Sequence, residues 1–406
     1  MTIQYKSLDW KLISAAAALS LIGIIIIYAA GYYEQSIYRQ TFYERQMLWF
    51  LLAIAVFAII IHIPFRLFDF GAYPLYALAL VLLLLVLATG DTRLGATRWF
   101  SIGGVSFAPA DIGKLALICT LARFFSYTRL PVASKRRLAL SFALTVIPVA
   151  LILKQPDLGT SLVFWAILIL MWLWSGLSPM ILLLLLSPVV SLITASHWLA
   201  WAIYIVVLLV VLFAYKPGLT FGVVIVIANL AFGSFLPFIW NGLAAYQKMR
   251  ILVFLDPGMD ARGAGYQIIQ SKIAIGSGGV LGKGFLEGSQ SKLDFLPERH
   301  TDFIFSVLGE EFGLWGALIV VGIFAYLFYR CIRIAVRCRS PFSSNIVIGA
   351  MSVILFQFLV NVGMTLGMMP VTGLPLPFLS YGGTSLVMFW ILIGLIISAE
   401  YRWQEY

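Results

Sequence analysis

Two stretches without a single charged residue limit what this chain can fold into. They cover residues 158–215 and 340–399, which are 58 and 60 residues long. A helix needs about 20 apolar residues to cross roughly 30 Å of hydrocarbon, so each stretch predicts more than one membrane-spanning helix. Charged residues make up 11% of the chain, whereas a soluble domain carries about 25%. A soluble, disordered or nucleic-acid-binding body is thereby excluded.

The fold class that follows is an all-α polytopic membrane protein, because no alternating pattern of short strands suggests a barrel. Three short spans in the first uncharged stretch and two in the second bring the prediction to about 12 transmembrane helices. The alternative is 10, with the short helices re-entrant. The single integral membrane domain covers residues 1–406, with one long polar loop at residues 241–301. The other predicted spans are residues 12–33, 46–65, 70–90, 107–125, 138–153, 217–247 and 303–329.

The distribution of basic residues predicts the orientation of the chain. The net charge is +10, which the positive-inside rule and anionic lipid headgroups explain without nucleic acid. With the N-terminus inside, 14 Lys and Arg residues are cytoplasmic and 6 lie on the other side; 7 more lie in the long loop. Both termini are therefore predicted to be cytoplasmic and the long loop extracytoplasmic.

Charged or Pro/Gly-rich segments on the outer side mark a candidate site, because charge beside a membrane span is costly and indicates function. There are four such segments, at residues 93–114, 154–157, 256–311 and 369–383. Their position on one face predicts a single external site.

Glycine dominates the long loop, where nine of the 31 residues from Gly258 to Gly288 are Gly. Such a segment can bring backbone N–H groups close to a ligand, so a phosphate nest is one interpretation. A flexible loop is the other. A Walker motif is excluded, since Ser277 stands where its first Gly should be and Gly284 follows Lys283.

Two carboxylates of the loop, Asp256 and Asp260, are four residues apart and would share one face of a helical turn. Either could act as a general base or hold a divalent ion. The competing interpretation is a helix cap or turn, which the neighbouring Pro257 favours.

A second polar cluster precedes the next predicted span. His300 could titrate near neutrality, or the cluster could cap the helix with Asp302 at its N-terminus. Glu310 and Glu311 lie inside an apolar run and need partners, for which Lys114 and Arg98 are candidates. No spacing of His or Cys predicts a zinc site built by the protein or a disulfide framework.

Several blocks in the same order resemble the shape, elongation, division and sporulation (SEDS) family over about residues 90–400. The QSKIAIGSGG block at residues 270–279 and the Asp256-Pro257 pair resemble its elongation branch (RodA-like) rather than its division branch (FtsW-like). The other matching blocks are PADIGK at residues 109–114, QPDLGTS at 155–161, FLPERHTDFIFSVLGEEFG at 295–313 and GMMPVTGLPLPFLSYGGTS at 367–385.

The resemblance implies a peptidoglycan glycosyltransferase that polymerises lipid II outside a bacterial cytoplasmic (inner) membrane. It also implies a heterodimer with a class B penicillin-binding protein, and contact with other elongation-complex proteins. The essential carboxylate of the family falls on Asp260. Two departures are Ala108-Pro-Ala-Asp111, where the family has Gln-Pro-Ser-Glu, and a probable two-helix insertion at residues 198–238.

The predicted site combines these lines. Asp260 is the catalytic base or metal ligand, with Asp256 as a second possible ligand of Mg or Mn, and no organic cofactor is expected. Positive charge must offset the departing diphosphate. Two other functions remain open, a lipid II flippase and a non-catalytic scaffold for a penicillin-binding protein. The predicted substrate-binding residues are Arg98, Lys114, Gln155, Lys272, Lys283, His300 and Glu310.

Overall fold

The computed structural model describes residues 8–401, apart from residues 34–35, 94–95, 103–104, 244, 261–262 and 290–294. Apolar helices follow one another through the first half, joined by short polar turns. In chain order these helices are α1 (Trp10–Gly31), α2 (Ile37–Gln40), α3 (Phe42–His62), α4 (Phe65–Phe70), α5 (Ala72–Thr89), α6 (Pro109–Tyr127), α7 (Lys135–Lys154), α8 (Leu158–Trp174) and α9 (Pro179–Thr194).

The second half continues the bundle and confirms the all-α membrane fold. Eight helices of the described chain are by themselves long and apolar enough to cross a membrane. Counting α6, the shorter α8 and α9, and the bent pair α11 and α12 as spans gives twelve. The remaining helices are α10 (Trp198–Tyr215), α11 (Leu219–Ser234), α12 (Leu236–Gly242), α13 (Ala245–Leu255), α14 (Ala264–Gly278), α15 (Ile304–Arg337), α16 (Pro341–Thr365) and α17 (Gly383–Tyr401).

A small antiparallel sheet between α5 and α6 departs from the sequence prediction, which contained no strand. Its strands are β1 (Asp91–Arg93), β2 (Ala96–Ile102) and β3 (Val105–Phe107), paired in that order. β1 and β3 have only three residues each, and the seven residues of β2, ATRWFSI, do not alternate between apolar and polar side chains. The sheet carries Arg98 and Trp99 to the start of α6.

The long loop is largely helical and packed, which decides against a flexible loop. It contains α13, a 3-10 helix (Pro257–Asp260) and α14. Ile268 and Ala274 of α14 are buried. The Oγ of Ser271 donates to the carbonyl oxygen of Thr365 over 2.6 Å and lies 2.7 Å from the Oγ of Ser306. Because these residues belong to α15 and α16, α14 is fixed against both helices.

The glycine-rich stretch after α14 is fixed by a break in α15. Gly313 has φ 63° and interrupts the helix, so carbonyl groups of the preceding turn need new partners. The N–H groups of Lys283 and Gly284 supply them, bonding the carbonyl oxygens of Glu310 at 3.0 Å and Glu311 at 3.1 Å. These N–H groups are therefore not available to form the phosphate nest considered from the sequence.

Helices α9, α10 and α11 form a unit joined by buried polar side chains. Asn229 of α11 donates through Nδ2 to the Oγ of Ser187 in α9, and Tyr204 of α10 donates to its Oδ1. Trp201 donates to the Oγ of Ser191. Such interhelical bonds hold helices together where water is absent. The predicted insertion at residues 198–238 covers α10, α11 and the start of α12, and its role stays a prediction.

Candidate active site

Three of the four segments expected to converge line one small cavity of about 100 Å³. They are the sheet with the start of α6, the α7–α8 turn and the connection between α16 and α17. Most of the charged groups come from the sheet, the start of α6 and the α7–α8 turn, while α16 and α17 supply apolar side chains together with Gln357 and Ser385. The lining residues are Arg98, Trp99, Ala108, Ala110, Asp111, Lys114, Gln155, Asp157, Thr160, Val353, Gln357, Gly373, Leu374, Pro375, Ser385, Met388 and Phe389.

An ion pair between Lys114 and Asp111 occupies the floor of the cavity. The Nζ of Lys114 lies 2.8 Å from the Oδ1 of Asp111, and their side chains are only 7% and 13% exposed. Asp111 precedes Lys114 by three residues, so the pair spans one turn of α6. Asp111 also lies in the first turn of α6, where the helix dipole stabilises an anion.

The turn between α7 and α8 holds Arg98 in place. Asp157 caps α8 by accepting from the N–H and Oγ1 of Thr160, and its Oδ2 lies 3.6 Å from the Nε of Arg98. The Arg98 guanidinium also donates to the carbonyl oxygen of Pro156. Gln155 lines the cavity, but its Nε2 donates to the carbonyl oxygen of Leu83, so part of its amide is used structurally.

Gln357 is a cavity residue that the sequence analysis missed. It is buried in α16 and lines the cavity, and its Oε1 accepts no hydrogen bond from the described residues. Buried amide oxygens normally have a donor, so this one is suited to a ligand hydroxyl or amide. The available signal was an amide inside an uncharged run of 60 residues.

Asn361 connects the long loop to the cavity wall. Its Nδ2 donates to the carbonyl oxygens of both Asp302 and Leu374, each over 2.9 Å. Gly373 has φ 77°, and a Cβ there would lie 3.6 Å from Oδ2 of Asp302. Burial and the nearby Glu298 raise the pKa of Asp302 to about 6. Asp302, which the sequence analysis treated only as a helix cap, therefore adds a carboxyl group beside the wall of a cavity that Asp111 and Asp157 already line.

Asp260 ends the 3-10 helix and is half-buried. A Cβ on Gly263 would lie 2.3 Å from its Oδ2, so the carboxylate folds over a position that requires glycine. Asp256 instead accepts the N–H of Gly258 at 3.0 Å, which is the turn interpretation. The two carboxylates therefore do not share a helical face as one prediction held, and neither lines the cavity.

Lys272 reaches the same connection between α16 and α17 from the side of α14. Its side chain lies against Gly367, where a Cβ would be 2.1 Å from Cε and 2.6 Å from Nζ. Gly367 has φ 71° and lies six residues before Gly373 of the cavity wall. Lys272 does not line the cavity, but it contacts the same α16–α17 connection that forms part of the cavity wall.

Lys283 and Glu310, both predicted to bind substrate, form an ion pair with each other. The Nζ of Lys283 lies 2.8 Å from the Oε1 of Glu310, whose side chain is 0% exposed. The Oγ of Ser289 bonds both groups. Glu310 is therefore paired with Lys283 and not with Arg98 or Lys114. Because it is fully buried, contact between Glu310 and substrate is not supported; the pair holds the loop on α15.

The sequence matches a family described as FTSW_RODA_SPOVE, cell cycle protein, over residues 9–204 and 199–405. The chain belongs to this family, the SEDS family. This SEDS protein is 37% identical over 357 residues to peptidoglycan glycosyltransferase MrdB of Escherichia coli K12, covering 87% of this chain and 84% of that protein. Peptidoglycan glycosyltransferase RodA of Treponema pallidum is 33% identical, with 97% and 98% covered.

Relatives named for the division branch are also similar. A probable peptidoglycan glycosyltransferase FtsW of Geobacter metallireducens is 32% identical, with 97% of this chain and 95% of that protein covered. The identities to MrdB and RodA are higher, which supports the RodA-like assignment.

Solved structures resemble this SEDS protein over nearly its whole length. One comes from a study titled "Structural coordination of polymerization and crosslinking by a peptidoglycan synthase complex", with TM-score 0.72, 30% identity, and 98% of this chain and 99% of that one covered. Rod shape determining protein RodA of Thermus thermophilus gives TM-score 0.65 at 26% identity, with 98% of each chain covered.

Within the described part of this SEDS protein, no three His, Cys, Asp or Glu side chains cluster in a way suited to a metal ion. Of the two predicted carboxylates, Asp256 already accepts a backbone hydrogen bond through Oδ1. A divalent cation at Asp260 therefore stays a prediction.

His300 lies in the same loop and is buried. Burial, with Arg299 and Arg39 nearby, lowers its pKa from 6.5 to about 3. The lowered pKa argues against titration of His300 near neutrality. We expect a neutral imidazole that supports the loop instead of exchanging protons.

This shift predicts how stability depends on pH. Between pH 6.5 and about 3, the unfolded chain binds a proton at His300 that the folded chain does not, so stability falls as pH falls. His300→Gln should flatten the decline of the melting temperature between pH 7 and pH 4.5, measured on the purified protein. His197→Gln, at an exposed histidine, is the control. An unchanged slope in His300→Gln would contradict the assignment.

Proposed function

We propose that this chain is a peptidoglycan glycosyltransferase that polymerises lipid II into glycan strands on the outer face of the cytoplasmic membrane during cell elongation. The observation that carries the proposal is the cavity containing Arg98 and the Lys114–Asp111 pair, in a chain 37% identical to a peptidoglycan glycosyltransferase. A buried ion pair is costly to form. Here the pair holds the Lys114 ammonium in its charged form at a polar cavity, where an anionic substrate group could bind it.

The chemistry requires positive charge at the leaving group. An acceptor hydroxyl oxygen bonds to the anomeric carbon of the donor sugar, and the bond from that carbon to the diphosphate oxygen breaks. In the proposal, Arg98 and Lys114 bind the diphosphate and stabilise the charge that develops on it. When diphosphate binds, it replaces the carboxylate of Asp111 as the partner of the Lys114 ammonium. Because one anion takes the place of another, the ammonium is never left unpaired.

Asp260 is the proposed general base, which accepts the proton of the acceptor hydroxyl. Its loop is fixed on α14, and Lys272 of α14 lies against the connection that also forms the cavity wall. Gln357 would orient sugar hydroxyl or amide groups through its Oε1. A divalent cation bound by Asp260 is a further proposal for offsetting charge, and chelation with EDTA tests it.

We also propose a partner and an orientation. The structural relative from the peptidoglycan synthase complex supports a heterodimer with a class B penicillin-binding protein, together with other elongation-complex proteins. The excess of basic residues on the face opposite the cavity supports cytoplasmic termini and an extracytoplasmic loop.

The deciding experiment is incubation of the purified protein with labelled lipid II in detergent. Detergent removes the two leaflets, so a flippase cannot transport lipid II between them and forms no polymer. A non-catalytic scaffold forms no polymer either. Polymer formed by the protein supports the proposal, whereas intact lipid II with a folded, partner-bound protein rejects it.

Asp260→Asn should lower the polymerisation rate by about 10²–10⁴, because the isosteric amide cannot accept the proton. Asp256→Asn is the matched control, since its side-chain oxygen still accepts from Gly258 and activity should stay near normal. The measurement is the initial rate of polymer formation at equal yields of folded protein. Similar rates in Asp260→Asn and the unmodified protein would remove Asp260 from the mechanism.

Lys114→Met keeps the stem and removes the charge, and should lower the rate by about 10²–10³, as for loss of an oxyanion donor. Lys114→Arg should recover part of the activity, because charge returns without the geometry. The decisive variant combines Lys114→Met with Asp111→Asn, which leaves no unpaired buried charge. If the ion pair were purely structural, this double variant would regain both stability and activity; we expect stability alone to return.

The orientation is tested with single cysteines. Cys119 and Cys331 are buried, so Cys338→Ser provides a background of low reactivity. In that background, Glu287→Cys in the exposed loop should react with a membrane-impermeant maleimide in intact spheroplasts. Lys11→Cys should react only after permeabilisation. The opposite labelling pattern would place the cavity on the cytoplasmic side.

A further inference from the structure

An apolar groove of about 520 Å³ lies between α10 and α11, and none of the residues that line it lines the active-site cavity. Its walls are aliphatic and aromatic, and no acidic side chain lines it. One ammonium group, that of Lys216, stands at its end. The lining residues are Leu209, Leu212, Phe213, Lys216, Pro217, Gly218, Leu219, Gly222, Val223, Val226 and Ile227.

The groove opens on the face opposite the active-site cavity. Successive helices alternate in direction, so the α10–α11 turn lies on the same face as the start of α7. A direct contact confirms this placement, because the Nζ of Lys135 in α7 donates to the Oγ1 of Thr220 over 2.5 Å. Thr220 neighbours Leu219 of the groove, and Lys135 therefore brings a second cation to the same end.

Both cations are positioned by the fold rather than neutralised by it. Lys216 takes a left-handed conformation with φ 49°, and its Nζ lies 5.9 Å from the ring centre of Phe213. Phe213 is 81% exposed. Among the described residues, neither Lys135 nor Lys216 forms an ion pair. The first turn of α11, beside Gly218, also has no side-chain cap, which adds backbone N–H groups at this end.

We propose that this groove binds an anionic glycerophospholipid, with an acyl chain between α10 and α11 and the phosphate at Lys216 and Lys135. An apolar groove open to the bilayer is filled by acyl chains. Two ammonium groups at its mouth favour a negative headgroup over a zwitterionic one. A helix of another protein would instead place apolar surface against these ammonium groups and leave them unpaired.

The groove and its charges can be altered separately. Lys216→Gln and Lys135→Gln remove one positive charge each. Gly222→Leu fills the groove, and a Cβ at Gly222 meets no atom within 4 Å, so the added side chain does not disturb the helix backbone. Lys11→Gln removes an exposed cation on the same face, and Gly322→Leu adds a side chain at an exposed helical glycine with equally open surroundings. These two variants are the matched controls.

The full-length protein in detergent is titrated with phosphatidylglycerol or phosphatidylcholine, and the first bound lipid is measured by native mass spectrometry. We expect tighter binding of phosphatidylglycerol. Each lysine variant should weaken it about fivefold without affecting phosphatidylcholine, and Gly222→Leu should weaken both lipids. Thermal unfolding of each variant confirms that it is folded.

Three results overturn the proposal. Equal affinity for the two lipids removes the headgroup site. If the lysine variants weaken lipid binding but Gly222→Leu does not, surface charge alone explains the binding and the groove has no part in it. If Lys11→Gln or Gly322→Leu weakens lipid binding as much as the groove variants do, any cation or any lipid-facing surface is enough for that binding. The groove would then be available to a protein partner.

Discussion

Water is absent from the hydrocarbon of a bilayer, so every polar group that this bundle carries inward must find its partner within the protein. The arrangement of the half that contains the cavity follows from that requirement. Lys114 is paired with Asp111, Lys283 with Glu310, and carbonyl groups released at Gly313 are bonded by the glycine-rich stretch. The last two pairings join segments that are distant in sequence, whereas Lys114 and Asp111 lie one turn apart in α6. The hydrogen bonds and ion pairs that these polar groups require therefore also position the segments around the candidate active site.

The connection between α16 and α17 is where these requirements meet. It receives Asn361 at Leu374, Lys272 at Gly367 and the carboxyl group of Asp302 near Gly373. Two of its residues are glycines with positive φ, and at Gly367 the side chain of Lys272 occupies the space of a Cβ. This Pro/Gly-rich segment is thus the scaffold onto which the cavity and the long loop are both fixed.

The sequence predicted the helices well because the absence of charge over 20 residues has one physical explanation in a chain of this composition. It also placed Arg98, Lys114 and Asp260 on two segments of one face. It did not predict which cation meets which carboxylate, because Lys283–Glu310 and Arg98–Asp157 depend on tertiary distances. Gln357 was missed because a single amide in an apolar run does not reveal what it faces, and the three short strands carry no readable period.

The packing of α14 has a consequence for the order in which the molecule is completed. Ser271 is held by α15 and α16, which are synthesised after it. Gln46 of α3 bonds Ser380 and Gly382, just before α17, and a Cβ at Gly23 of α1 would lie 2.6 Å from the Cα of Leu379. The earliest and latest helices thus close on each other. A partly inserted chain has Asp260 but lacks the helices that fix its loop beside the cavity, so we expect activity only once the final helices are in the membrane.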